Sequence, residues 1–302
     1  MLFTSLKPML PVWGEAPFDD GAFLFEPKWD GARMLLHKRE GKLEAYTRSG
    51  MAVAAQFPEL REAAGLIRAN SAILDCEAIC MRDGRPVFDD IMYRLRLGRS
   101  DKIAQAQRTK PAAWVVFDVL MSGDAQHLNE PLADRKRRLD ELLLPGPVLI
   151  KTMYVENQGK PLFALTERQR MEGIVAKRKT SLYMPDTRSP DWLKIKHPQT
   201  IDTVILGYRN DPFALIVGLH FRTVKNKPVA TVEDGLLPEH RERLLDEIAG
   251  QPIRQEDGRY WVEPKLCCRI EYKDRTDAHQ LRFTRFIAFV LDKKTDDCVW
   301  AY

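Results

Sequence analysis

The chain is poor in the residues that staple small domains with metals or disulfides. Its 302 residues include five cysteines and six histidines. Cys76, Cys80, Cys267, Cys268 and Cys298 form no CxxC pair, and the histidines are scattered without ligand spacing, so a structural zinc is not expected. An odd cysteine count with two adjacent thiols suits a reducing compartment. The start of the chain has no basic segment followed by a long apolar stretch, and no apolar run approaches membrane-spanning length. The sequence therefore reads as a soluble, cytoplasmic protein without membrane association. Internal repeats and low-complexity tracts are absent. Charge of one sign is also scarce: 47 Lys and Arg stand against 43 Asp and Glu, a net of +4, which by itself says little about nucleic acid.

What is present is unevenly distributed. Residues 1–200 carry 31 basic against 26 acidic side chains, whereas residues 201–302 carry 16 against 17. The length exceeds what one core usually serves, and after Lys196 the pattern becomes strand-dominated, so two domains are expected, 1–200 and 201–302. Runs of β-branched and aromatic residues between turn signals predict strands at 22–26, 33–39, 42–47, 73–81, 113–120, 173–178, 192–196, 203–209, 213–222, 259–263 and 267–273. Helical periodicity predicts helices at 58–69, 132–144 and 239–249. Hairpin-like neighbours without a repeating βαβ rhythm favour an antiparallel α+β fold. The last hundred residues, with roughly five strands, suit a small Greek-key barrel of the oligonucleotide-binding kind, an OB-fold.

Five constellations carry chemistry. Glu26-Pro27-Lys28-Trp29-Asp30-Gly31-Ala32-Arg33 sets a lysine, a carboxylate, a glycine and an arginine in one turn, the wiring of a lysine nucleophile aimed at a phosphate. A lysine of ordinary pKa, about 10.4, is inert at neutral pH, so neighbouring cations such as Arg33, or a metal, are expected to depress it. Tyr46-Thr47-Arg48-Ser49-Gly50 ends a strand with a guanidinium and two hydroxyls suited to a phosphate. Asp75 and Glu77 alternate onto one face of an apolar strand, which should meet a ribose hydroxyl, a metal or a basic partner. Glu172-Gly173-Ile174-Val175-Ala176-Lys177-Arg178 joins an acid that suits Mg²⁺ to a glycine that permits close approach. Trp192-Leu193-Lys194-Ile195-Lys196 puts two lysines on one strand face, with an anion expected between them. Phe117, in Val115-Val116-Phe117-Asp118, offers a ring either to a base or to the core.

In this order KxDGxR, TRSG, DxE, EGIVAKR and WLKIK resemble the motifs of the ATP-dependent DNA ligases, within the covalent nucleotidyltransferase superfamily. The likeness is closest to bacterial ligases whose counterparts form the sealing module of end-joining enzymes. It runs with specific motifs from about Lys7 to Lys196 and more loosely beyond. The resemblance implies an adenylation (nucleotidyltransferase) domain followed by an OB-fold barrel, using ATP with Mg²⁺ or Mn²⁺ to seal nicks in double-stranded DNA. Lys28 would become AMP-lysine; Arg33 and Arg48 would contact the nucleotide or the nick phosphate; Glu77 would bind the ribose and serve the metal with Glu172. Phe117 and Val175 would sandwich adenine, Lys194 and Lys196 would hold the α-phosphate, and Glu26 would lie beside the base through its backbone.

One departure stands out. Where the family reads RxDK near its end, this chain has Val290-Leu291-Asp292-Lys293, with valine in the arginine position, so slower self-adenylation is expected. The core begins without the helical DNA-binding domain of larger ligases, which implies a monomer helped by an end-binding or clamp-type repair protein. An RNA ligase or capping-type nucleotidyltransferase shares the lysine motif and is the alternative. Arg94, Arg96, Arg99, Lys102, Arg108 and Lys110 form one basic segment; Lys177, Arg178, Lys179 and Arg188, interleaved with Tyr183, form another. Each is a candidate DNA surface or a solvated face.

Overall fold

The computed structural model describes residues 2–276 and 278–300. The chain divides between Lys196 and His197 into two compact units. Each predicted strand stretch is occupied by a strand, and the unit cores form where period-two alternation puts apolar side chains on one face.

The first unit holds two sheets. One is ordered Leu10–Trp13, Arg188–Lys196, Gly173–Arg178, Phe23–Lys28, Val155–Glu156. Its neighbours are antiparallel except for Leu10–Trp13, which runs parallel to Arg188–Lys196. Phe23, Phe25, Ile174, Ala176 and Ile195 pack on one side with Leu162 of the helix Gly159–Arg168. Alternation therefore sends Glu26, Lys28, Gly173, Val175, Lys177, Trp192, Lys194 and Lys196 to the opposite side, where cross-strand register sets Gly173 against both Lys28 and Lys196.

The second sheet is ordered Lys42–Thr47, Ala32–Arg39, Ser71–Arg82, Ala112–Ser122, Ala125–Gln126, with Leu149–Lys151 parallel alongside Ala112–Ser122. Met34, Leu36, Leu74, Cys76, Trp114 and Val116 fill the main core. Arg33, Asp75 and Glu77 take the other face. Two bulges in Ala112–Ser122 skip Phe117 and Leu120 in the pairing with Ser71–Arg82. Both skipped residues turn into a smaller cluster with Met9, Leu35, Ile73, Tyr183 and Trp192, which joins the two sheets.

Helices were less legible than strands. Ser100–Thr109 buries only Ala106, so it carries no apolar stripe to read, and Phe88–Leu95 and Gly159–Arg168 also lie outside the predicted helices. The helix expected at 58–69 shrinks to Leu60–Ala63 with a 3₁₀ turn after it. The helix expected at 132–144 is Leu132–Leu142, and it buries Arg135 and Lys136 beside its leucines.

In the second unit the long strand Gln199–Asn210 pairs with Cys267–Tyr272 over its first half and with Phe213–Leu219 over its second. Phe213–Leu219 continues to Lys227–Val232, and Cys267–Tyr272 to Arg285–Phe289. A parallel bridge links Asp234 to Arg285, and the helix Pro238–Glu247 follows that bridge in the chain.

Gly173 shows how close the strands run at the acid and lysine pair. Its φ is +144°, and a Cβ there would lie 2.1 Å from the Ile195 carbonyl oxygen. Gly173→Ala should cost about 2–3 kcal/mol and lower the melting temperature by roughly 5–10 °C, read by circular dichroism. An unchanged melting curve would show that the strand pair can part without penalty.

Candidate active site

Lys28 and Lys196 end their strands on either side of Gly173, and Glu172 stands immediately before that glycine. The Lys28 Nζ lies 2.5 Å from Glu172 Oε2, while the Lys196 ammonium meets Glu172 Oε1. All three side chains are at least partly buried. Burial pushes the Lys28 pKa down, but the Glu172 carboxylate, then Glu77 and Asp30, outweigh it and hold the ammonium above its ordinary value. Burial in turn pushes Glu172 up, and Lys28 and Lys196 reverse that, holding it below the usual carboxylate range.

This corrects the expectation that cations surround Lys28. Arg33 is committed elsewhere: its Nε and Nη2 donate to Asp75 at 2.5 and 2.6 Å. The immediate surroundings of Lys28 are acidic, and in this arrangement it is an ammonium at neutral pH. Lys196 is paired with Glu172, and the Lys194 Nζ lies 4.2 Å from the ring centre of Trp13. Glu77, opposite Arg33 in register, is pushed by burial up to about 7 even though Lys28 and Arg33 draw it down.

A second buried cluster adjoins the first. Glu26 is 3% exposed and bridges Lys136 and Lys177, the latter at 2.7 Å. Burial brings the Lys177 pKa down to about 8, with Glu26 opposing. Its ammonium sits 4.2 Å from the Phe117 ring centre and 4.3 Å from that of Trp192. The Arg33 guanidinium meets the Phe117 ring at 4.3 Å. Phe117 is thus a buried ring flanked by two cations. Val175 is half-buried, paired in register with Glu26 and Lys194. Arg48 is exposed in the turn after Lys42–Thr47.

Both basic segments break up. Lys177 and Tyr183 are interior, Arg178 pairs with Asp191, and Lys179 pairs with Glu156. Arg94 is fully buried against Glu59, Lys110 pairs with Asp90 and Arg99 with Asp101, which leaves Arg96, Lys102 and Arg108 as exposed cations. Trp13, Lys136 and Trp192 were missed as site residues. For Lys136 a signal existed: positions 132, 135, 136, 139 and 142 make one buried helix stripe, and cations in such a stripe call for buried acids.

Among the described residues no group of three or more His, Cys, Asp or Glu forms a ready-made metal cage. The donors on this face are the hard carboxylate oxygens of Glu172 and Glu77. Mg²⁺ bound together with phosphates ordinarily needs only one or two such carboxylates, so the donor set fits that ion. No helix among the described residues is long and apolar enough to cross a membrane.

A family model for the ATP dependent DNA ligase domain matches residues 14–196. The chain is 29% identical to a DNA ligase of Methanothrix thermoacetophila, over 97% of this chain and 56% of that one. It is also 29% identical to the multifunctional non-homologous end joining protein LigD of Mycobacterium bovis, over 98% of this chain and 40% of that one. It spans about half the length of these relatives. Among solved structures, mycobacterial DNA ligase D complexed with ATP and MES superposes with a TM-score of 0.58 at 26% identity, covering 97% of this chain and 98% of that one.

The acid pair makes a testable claim about Lys28. With Glu172→Gln, burial becomes the dominant influence and the amine should titrate well below its wild-type midpoint. Peptide mass spectrometry of amine-reagent labelling against pH reads this directly, and coincident curves would reject the assigned pairing. Because the Lys28 folded pKa lies above its unfolded one and the Glu172 folded pKa lies below its own, the stabilisation from this ion pair is complete between about pH 4.3 and about pH 10.4, fading as pH rises past the upper limit and as it falls below the lower one.

Proposed function

The chain belongs to the ATP-dependent DNA ligase family, and from that footing we propose that it joins a 3′-hydroxyl to a 5′-phosphate at nicks in duplex DNA. The observation that carries this reading is the convergence of Lys28, Glu172 and Lys196 around Gly173, with Glu77 acting electrostatically on the same amine.

Three displacements at phosphorus make up the reaction. The Lys28 Nζ attacks the α-phosphorus of ATP and pyrophosphate leaves; the AMP passes to the DNA 5′-phosphate and frees the lysine; the 3′-hydroxyl then attacks that phosphate and AMP departs. Each step depends on positioning and on stabilising charge. Lys28 must first lose a proton. Once the negative charge of Glu172 is drawn away by a cation, burial favours the neutral amine, and the proton passes to the solvent that the partly exposed side chain reaches. Glu172 and Glu77 would hold Mg²⁺ or Mn²⁺, which supplies charge neutralisation to the phosphates when bound.

Lys194 and Lys196 hold the α-phosphate in this reading, exchanging Trp13 and Glu172 for its oxygens. Glu77 takes the ribose hydroxyl, and Arg33 and Arg48 serve the nucleotide or the nick phosphate. Adenine between Phe117 and Val175 takes the space that the Lys177 ammonium now shares with the Phe117 ring, and Glu26 borders it. The second unit is read as an OB-fold. A long first strand shared by several partners, a helix after the third strand and a parallel bridge from Asp234, just past that third strand, to Arg285 of the strand Arg285–Phe289 support that topology. Duplex DNA is the partner by family, and kinship to end-joining proteins favours an end-binding protein as a second one.

Intact-mass measurement after exposure to ATP and Mg²⁺ should show one added AMP on the wild type and none on Lys28→Ala. The loaded wild type should seal nicked duplex DNA, with rates that fall as salt rises. An adduct on Lys28→Ala, or a preference for GTP or nicked RNA, would overturn the reading.

The tail motif yields a further expectation. Lys293 donates to Asp202 at 2.9 Å, while Asp292 and Leu291 are exposed, so the retained residues flank a valine that brings no charge. Val290→Arg should speed self-adenylation while leaving sealing of pre-adenylated nicks unchanged. Equal self-adenylation rates in both proteins would dismiss a role for this position.

A further inference from the structure

We propose that Tyr183 is a positioning residue for Arg33, acting through Asp75, and that Arg33 offers a single guanidinium nitrogen, Nη1, to an anionic ligand. The proposal rests on the ligase reading for its activity readout. Its geometry stands on a closed ring of four groups. The Tyr183 hydroxyl donates to Asp75 Oδ2 at 2.5 Å. Asp75 accepts Arg33 Nε on Oδ1 at 2.5 Å and Nη2 on Oδ2 at 2.6 Å. Arg33 Nη2 donates also to the Met9 carbonyl at 3.3 Å, and the Met9 N–H closes the ring by donating to the Tyr183 oxygen at 3.2 Å.

The ring is dry. Met9 and Asp75 are fully buried and Tyr183 is 2% exposed, so each bond replaces one that water cannot supply. Burial, with Asp75 next to it, holds the Tyr183 phenol well above its ordinary range, and it remains a donor. Tyr183 is also anchored independently of Arg33. Its N–H donates to the Leu128 carbonyl at 2.8 Å, its ring meets the Trp192 ring edge-on at 5.8 Å, and the Arg135 guanidinium lies 5.7 Å from its centre. A fixed phenol thereby sets the carboxylate, and the carboxylate sets the guanidinium.

Two of the three Arg33 nitrogens are consumed. Nη1 makes no hydrogen bond among the described residues, yet it does not belong to their buried unsatisfied atoms. It is the part of the head that reaches solvent, on the face shared with Glu77. A bidentate grip on phosphate, the usual use of arginine, is closed to this residue; one directed contact remains.

A double-mutant cycle tests this. Rates of AMP-lysine formation, AMP transfer to nicked DNA and final sealing are measured separately for wild type, Tyr183→Phe, Arg33→Lys and the double variant, with thermal melts alongside. Tyr183→Phe should slow the same step that Arg33→Lys slows, by about tenfold, and leave the other steps within about twofold. In the Arg33→Lys background it should have less than about twofold further effect. Independent, multiplicative losses, or an equal slowing of all three steps tracking a lowered melting temperature, would reduce Tyr183 to a structural residue. If Tyr183→Phe does not fold, Tyr183→His, which keeps a ring and a donor, replaces it in the same cycle. A wild type that forms no AMP adduct refutes the ligase reading instead, and coupling in the thermal melts then decides the ring by itself.

Discussion

A single carboxylate, Glu172, stands between two lysines that would otherwise repel each other at the ends of adjacent strands. Lys28 and Lys196 are both register partners of Gly173, so the backbone brings two ammonium groups onto one sheet face without regard to their charge. Only an acid at the neighbouring position, with one oxygen for each, makes that arrangement stable in a partly dry site. The same pairing stores the amine in its unreactive form, and chemistry begins when charge on Glu172 is redistributed. Stability of the resting site and reactivity of the lysine are therefore set by one interaction in opposite senses.

Around this centre the protein repeats the device. Glu26 is held by Lys136 and Lys177, Asp75 by Arg33 and Tyr183, and Asp118 by Arg135, whose remaining donor reaches the Glu130 and Ser181 carbonyls. Each of these acids has its own cation: Glu26 with Lys136 and Asp118 with Arg135 tie a sheet to the helix Leu132–Leu142, while Glu26 with Lys177 and Asp75 with Arg33 join adjacent strands of one sheet. Buried pairs of this kind add little net stability compared with apolar packing, but they allow few alternative geometries. The face between the sheets is consequently polar and preorganised, while cohesion comes from the apolar faces behind it.

The legible and illegible parts of the chain differ by the physics that formed them. Strands were readable because alternation is local: Asp75 and Glu77 share a face, and Lys194 and Lys196 share another, whatever lies opposite. Ser100–Thr109 was not readable as a helix, because a helix with one buried residue has no stripe. The run Lys177-Arg178-Lys179 looked like a surface patch because like charges in sequence suggest solvent, yet strand alternation drives Lys177 into an aromatic slot and turns Arg178 outward, while Lys179, past the strand end, pairs with Glu156. The segment 94–110 misled in the same way, since Arg94 is a core residue satisfied by Glu59.

Residue types and their spacing alone determined the strand faces, the order of the motifs and the identity of the candidate nucleophile, since these follow from period-two geometry and side-chain chemistry within a few residues. Tertiary structure alone decided which charge meets which. Arg33 was taken from Lys28 by Asp75, 42 residues further along the chain, and Glu26 was matched to Lys177 across 151 residues. Electrostatic partners are chosen by distance in space and by burial, and neither is encoded in any local stretch, so the sign of the environment around Lys28 could not be read until strands distant in sequence were paired.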